Sequence, residues 1–119
     1  MNKQVKISLI MPNFNGAKTI ESSILSVVNN EYSNKELVIV DGKSTDESHV
    51  TIQKYTEKYD FIKWIDIKDR GISDAINIGL EKTTGDIIGY LGSDDLLNTE
   101  TLFKINNSKQ LVDFDVIYF

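Results

Sequence analysis

Four short apolar runs, each stopped by a polar or acidic residue and each followed by a stretch of helical spacing, restrict this chain to alternating strands and helices. The runs cover 7–11, 36–40, 62–67 and 87–91. They are short, rich in Ile and Val and mostly unalternated, the pattern of strands buried on both faces of a parallel sheet. Between them, Ile20, Ile24, Val27 and Val28 recur at helical spacing over 17–30. Ser44 and Glu47 have capping-box spacing and predict a second helix over 44–59 that buries Ile52, Tyr55 and Tyr59. A third is expected over 73–82, with Ile72, Ala75, Ile76 and Leu80 inward, ended by Thr83-Thr84-Gly85. A cap at Thr99, a short helix to about 107 and a last apolar strand over 113–119 complete the order. The predicted fold is a doubly wound, mainly parallel α/β sheet with helices on both faces.

The strand ends carry the functional signal. The first run exits at Pro12-Asn13-Phe14-Asn15, the second at Asp41, the third at Asp69 and the fourth at Asp94-Asp95. In a parallel sheet these positions share the carboxyl edge, where ligands of open α/β sheets bind. Adjacent carboxylates are hard oxygen donors suited to Mg²⁺ or Mn²⁺ carrying a phosphate. Simpler readings stand beside these: Asp41 as a turn acid, Asp69 as a partner for Arg70, Asp74 as a charge at a helix start, and Asp94-Asp95 as a surface turn or cap.

Composition narrows the ligand. At 119 residues the chain is one domain, and with 40% hydrophobic residues, 26% charged residues and one proline it is an ordinary globular type. A net charge of −5 argues against a general nucleic-acid or anionic-membrane surface, so a phosphate ligand needs a local cation or a metal. The absence of cysteine excludes disulfides and zinc-thiolate sites and is compatible with a cytoplasmic location. No signal h-region and no apolar run near ~20 residues is present, which predicts no membrane span. An acid after the second strand also suits a dinucleotide fold, but neither a G-x-G-x-x-G turn nor a Walker A loop follows the first strand. His49 reads as solvated surface and Trp64 as core.

Ser8-Leu9-Ile10-Met11-Pro12-Asn13-Phe14-Asn15, Val38-Ile39-Val40-Asp41-Gly42-Lys43-Ser44-Thr45-Asp46, Asp69 through Gly79, and Thr84-Gly85-Asp86 through Asp95 together resemble family-2 glycosyltransferases. The resemblance implies a GT-A, Rossmann-like fold that binds a nucleotide-sugar, usually a UDP-sugar, and transfers the sugar with inversion to a saccharide or lipid-linked acceptor. It implies nucleotide-sugar binding by Pro12, Asn13, Phe14, Asn15, Asp41, Asp69 and Asp94, with Asp41 at the nucleobase. Asp94 and Asp95 fall on the D-x-D region that ligates a divalent metal, Mn²⁺ or Mg²⁺. Two positions depart from the pattern: Gly92 stands where the first Asp is usual, and Ile76 where a cation often lies, leaving Lys68 or Arg70 to supply the charge. The family's general base is expected beyond Phe119, so residues 1–119 read as the nucleotide-sugar-binding part of a longer enzyme of bacterial polysaccharide type. A non-catalytic nucleotide-binding module is the alternative, and a dinucleotide oxidoreductase half-domain a third reading. Tyr118 and Phe119 predict an exposed last strand able to pair with a second copy, and peripheral membrane association stays open for a full-length protein.

Overall fold

A computed structural model describes residues 4–109 and 116–118. Five strands, β1 (Ile7–Asn13), β2 (Lys35–Asp41), β3 (Ile62–Asp66), β4 (Ile87–Tyr90) and β5 (Val116–Tyr118), form one sheet in the order β3-β2-β1-β4-β5. Every neighbouring pair is parallel. The four helices are α1 (Ile20–Val28), α2 (Ser48–Lys58), α3 (Ile72–Leu80) and α4 (Thr101–Lys109).

The unalternated apolar runs are explained by burial on both faces. Ile7, Leu9 and Met11 of β1 join Leu37 and Ile39 of β2 in the larger core, beneath Ile20, Ile24 and Val27 of α1, Ile52 and Tyr55 of α2, and Leu102 and Ile105 of α4. Ile10, Val38 and Val40 point the other way and pack against Ala75, with Ile76 and Leu80 of α3 alongside. α1, α2 and α4 thus cover one face and α3 the other. Trp64 packs half-buried against the larger core, and His49 is exposed.

Two helix starts differ from expectation. α2 begins at Ser48 rather than Ser44, because the Ser44 hydroxyl donates to Asp41 Oδ1 at 2.6 Å and accepts from Asn15 N–H, so no capping box forms with Glu47. Ahead of α4, the acceptor role expected of Thr99 falls to Asn98, whose Oδ1 takes the Glu100 N–H at 2.9 Å. Ile72, expected inward, is 59% exposed and faces the cleft described below. Tyr59, expected buried, closes α2 half-exposed and stacks on Tyr55. The last strand is present as β5, but the side chains on which the expected pairing with a second copy rests, Tyr118 and Phe119, lie outside the described residues.

At the amino edge of the sheet a buried carboxylate ties four segments together. Glu36, 2% exposed, accepts from Ser8 Oγ at 2.7 Å, Thr84 N–H at 2.7 Å and Lys63 Nζ at 2.8 Å. Burial pushes its pKa up, but the Lys63 ion pair and the Thr84 and Ser8 hydrogen bonds outweigh that and hold it down at about 2.

Candidate functional site

The parallel order brings four strand ends to one edge, and the register sets Asn13 beside Asp41 and Asp41 beside Asp66. A cleft of about 570 Å³ opens there, within the usual size for small-molecule sites. Its floor and walls come from Pro12, Asn13, Phe14, Gly16 and Thr19 after β1, and Gly42 after β2. Lys68, Asp69, Gly71, Ile72 and Ala75 follow β3, and Tyr90, Gly92, Ser93 and Asp94 lie at the β4 end. Lys68 is the one cation among these lining residues; Arg70, the other candidate, is not one of them.

The acids divide into those that face the cleft and those that build it. Asp94 is exposed and lines the cleft. Asp69 lines it too; its Oδ1 accepts the Gly71 N–H at 2.9 Å, and its Oδ2 lies 2.9 Å from where a Gly42 Cβ would stand. Gly42 therefore admits the Asp69 carboxylate against the end of β2. Asp69 does not pair with Arg70, whose N–H goes to Asp74 at 2.9 Å across the first turn of α3.

Asp41 sits just under the rim, 1% exposed and not among the lining residues. Its Oδ1 accepts from Asn13 Nδ2 at 2.8 Å and Ser44 Oγ at 2.6 Å, and its Oδ2 from Ser44 N–H at 3.0 Å. Asn15 also points away from the cleft and braces two loops, its Oδ1 accepting from Thr45 N–H at 2.8 Å and Asp46 N–H at 3.2 Å. A positive φ of 54° at Asn15 aims the side chain that way, in a conformation Asn adopts more readily than most residues. Asp46 returns the tie by accepting the Ala17 N–H at 3.0 Å. Polar residues of two separate sequence segments, Asn13 and Asn15 from the first and Asp41, Ser44 and Asp46 from the second, thus lash the β1–α1 and β2–α2 loops together.

The Gly92–Asp95 turn is held from below by α1. Ser23, fully buried, donates to Gly92 O at 2.9 Å and to Asp95 O, while Thr19 Oγ1 donates to Ser93 O at 2.9 Å. Ser26 Oγ takes the Leu97 N–H at 2.9 Å. These hydroxyls carry no signal in a chain read for apolar periodicity, although Thr19, Ser23 and Ser26 form a polar stripe beside the Ile20, Ile24, Val27 stripe. Asp95 closes the turn by accepting the Gly92 N–H at 3.2 Å. A Cβ on Gly92 would stand 2.7 Å from Asp95 Oδ2 and 2.9 Å from Asp94 Oδ1, so the two carboxylates flank one point, where a larger residue would displace them.

Tyr90 contributes a hydroxyl 3.4 Å from that same point. Burial, then the nearby Asp95 and Asp94 charges, raise its pKa above the ordinary tyrosine value, so it stays a neutral phenol beside the carboxylates at neutral pH. The described residues hold no group of three metal-ligating side chains. Two carboxylates fit a divalent ion whose remaining positions come from phosphate oxygens and water, the usual arrangement for Mg²⁺.

A model of the family described as Glycosyl transferase family 2 matches residues 8–115. The chain belongs to that family. The cholesterol galactosyltransferase of Borreliella burgdorferi is 31% identical to this family-2 chain over 112 residues, covering 94% of the chain and 31% of that protein. Among solved structures, Staphylococcus aureus TarS 1-349 in complex with UDP-GlcNAc superposes with a TM-score of 0.79 at 27% identity, over 89% of this chain and 31% of that one. The mannosyltransferase PcManGT of Pyrobaculum calidifontis in complex with GDP-Man and Mn²⁺ gives 0.80 at 26% identity, over 93% and 33%. The chain therefore spans about a third of the length of each of these relatives. The sheet has the GT-A, Rossmann-like form of those neighbours. Among the described residues no helix is long and apolar enough to cross a membrane.

Proposed function

We propose that this chain is the nucleotide-sugar-binding part of an inverting glycosyltransferase that takes a UDP-sugar and transfers the sugar to a saccharide or lipid-linked acceptor in the bacterial cytoplasm. The observation that carries the reading is the cleft across the ends of β3, β2, β1 and β4, with Asp94 at one end, Asp95 next to it in the turn behind, and Lys68 and Asp69 at the other end. It is supported by the complexes of two structural neighbours, one with UDP-GlcNAc and one with GDP-Man and Mn²⁺.

Asp94 and Asp95 would hold a divalent metal, Mn²⁺ or Mg²⁺, together with the donor's diphosphate. When bound, such an ion offsets the negative charge that builds on a leaving phosphate. The chain's own residues do the positioning. The α1 hydroxyls fix the turn that presents Asp94, so little reorganisation is needed when the donor arrives. Phe14, 65% exposed, and Ile72, 59% exposed, give the cleft an apolar lip against which a flat base loses water. Lys68 supplies positive charge to a site that is otherwise acidic.

Thermal unfolding with UDP and Mn²⁺, UDP and EDTA, GDP and Mn²⁺, and NAD tests this reading. Ligand at a hundred times its Kd stabilises by about 2.7 kcal/mol, a shift that is readily measured. The expected order is UDP with Mn²⁺ above UDP with EDTA, and no response to NAD. Stabilisation by NAD and none by UDP would overturn the proposal.

A further inference from the structure

The acidic end of the cleft carries one oxygen of a different kind. Asp95 Oδ2, Asp94 Oδ1 and the Tyr90 hydroxyl stand 2.7, 2.9 and 3.4 Å from the point that a Cβ on Gly92 would occupy, so two carboxylates and a phenol converge on one turn. Tyr90 reaches that turn from the α3 side of the sheet. It pairs in register with Ile10, which packs against Ala75 in the smaller core, and its ring joins Ile72 and Ala75 in lining the cleft. The α1 hydroxyls arrive from the other side and are spent on the turn's carbonyls, Ser23 on Gly92 O and Asp95 O and Thr19 on Ser93 O.

We infer that the Tyr90 hydroxyl donates a hydrogen bond to a diphosphate oxygen of the bound nucleotide-sugar, as a binding residue of this chain additional to the carboxylates. The inference rests on the nucleotide-sugar reading of the cleft. A diphosphate laid against Asp94 meets charge of its own sign, and ionised carboxylates only accept hydrogen bonds. Lys68, the one cation among the lining residues, follows β3, and β2 and β1 lie between that strand and β4. A phosphate oxygen at the β4 end therefore needs an O–H donor close to the carboxylates, and a hydrogen bond to a charged acceptor is stronger than one between neutral groups. Tyr90 places its hydroxyl there, whereas the Ser93 hydroxyl lies toward the β1–α1 loop, 2.9 Å from where a Gly16 Cβ would stand. Glycine at 92 is what lets the phenol and the two acids approach one point.

NMR titration of the chain and of Tyr90→Phe with UDP and with uridine, all in Mg²⁺, tests this. The substitution removes one oxygen and keeps the ring. Tyr90→Phe is expected to bind UDP about tenfold more weakly or worse, the factor given by one hydrogen bond to a charged group, and to bind uridine as the unaltered chain does, because uridine has no phosphate for the hydroxyl to meet. Equal affinity of the two chains for UDP overturns the inference. So does a loss by one common factor for UDP and uridine, since the phenol would then only shape the wall of the cleft. Absence of any UDP binding by the unaltered chain would instead sink the nucleotide-sugar reading. A second measurement needs no variant: in the chain labelled with ¹³Cζ-tyrosine, one of the five tyrosine signals should move with UDP and stay in place with uridine, and the lack of such a signal counts against the inference.

Discussion

At the scale of single residues, adjacent acids at the β4 end do different work. Asp94 faces the cleft, whereas Asp95 spends one oxygen on the Gly92 N–H and shapes the turn that carries both. Asp94→Asn is therefore expected to abolish the Mn²⁺-dependent part of the UDP stabilisation with little change in the melting temperature of the free chain. Asp95→Asn should lower both. Thermal scans of the two variants with and without UDP and Mn²⁺ decide this, and a full Mn²⁺ response in Asp94→Asn would mean that the ion sits elsewhere. The spacing of the two acids is visible in the chain, but their division of labour is not, because it depends on which carboxylate the Gly92 amide reaches.

Elements meet at the site through hydroxyls rather than through the apolar contacts that build the sheet. Ser23 lies on the buried face of α1 and its one hydroxyl hydrogen is shared between two carbonyls of the β4–α4 turn; Gly92 O keeps the Asp95 N–H, so removing Ser23 takes the side-chain donor from Asp95 O. Ser23→Ala is expected to cost about 1–3 kcal/mol of stability by urea unfolding and to shrink the metal-dependent UDP shift by loosening the turn. A variant of unchanged stability and unchanged UDP response would show that the turn holds itself. The same logic accounts for the late start of α2. Ser44 is a good cap by spacing, yet its hydroxyl reaches Asp41 across the loop, and one oxygen cannot also cap the helix at 2.6 Å from that carboxylate. A contact three residues back in sequence competes with the local rule and wins.

For the molecule as a whole, stability in acid depends on the Glu36 cluster at the edge opposite the cleft. Its carboxyl is held at about 2 when folded against an ordinary value of 4.5, so the folded state favours the charged form. A depressed acid stabilises the fold above the unfolded pKa, near 4.5, and that contribution fades as pH falls toward 2. It is on the order of 3 kcal/mol, from roughly 1.4 kcal/mol for each unit of pKa. Urea unfolding of Glu36→Gln and of the unaltered chain should accordingly differ at pH 7 and converge as pH is lowered from 5 toward 2. A difference that stays constant over that range would show that the cluster is not coupled to protonation. Glu36 opens the buried run at 36–40, and the approach of Lys63 and Thr84 from distant segments makes a buried charge tolerable there.

Taken alone, the sequence determined the parallel α/β order, the two-faced burial of the strands and the edge on which Asp41, Asp69, Asp94 and Asp95 collect. Those follow from periodicity and from the rule that each parallel strand starts afresh at the same side, which are properties of a chain in one dimension. Tertiary structure decided which of the collected residues face the ligand space. It set Asp41 and Asn15 to bracing loops and Asp94, Asp69 and Lys68 to lining the cleft, turned Ile72 outward, and brought Ser23 and Tyr90 into the site. The reason is that a short polar side chain bonds to whatever donor or acceptor folding brings within about 3 Å, and that neighbour comes from segments tens of residues away.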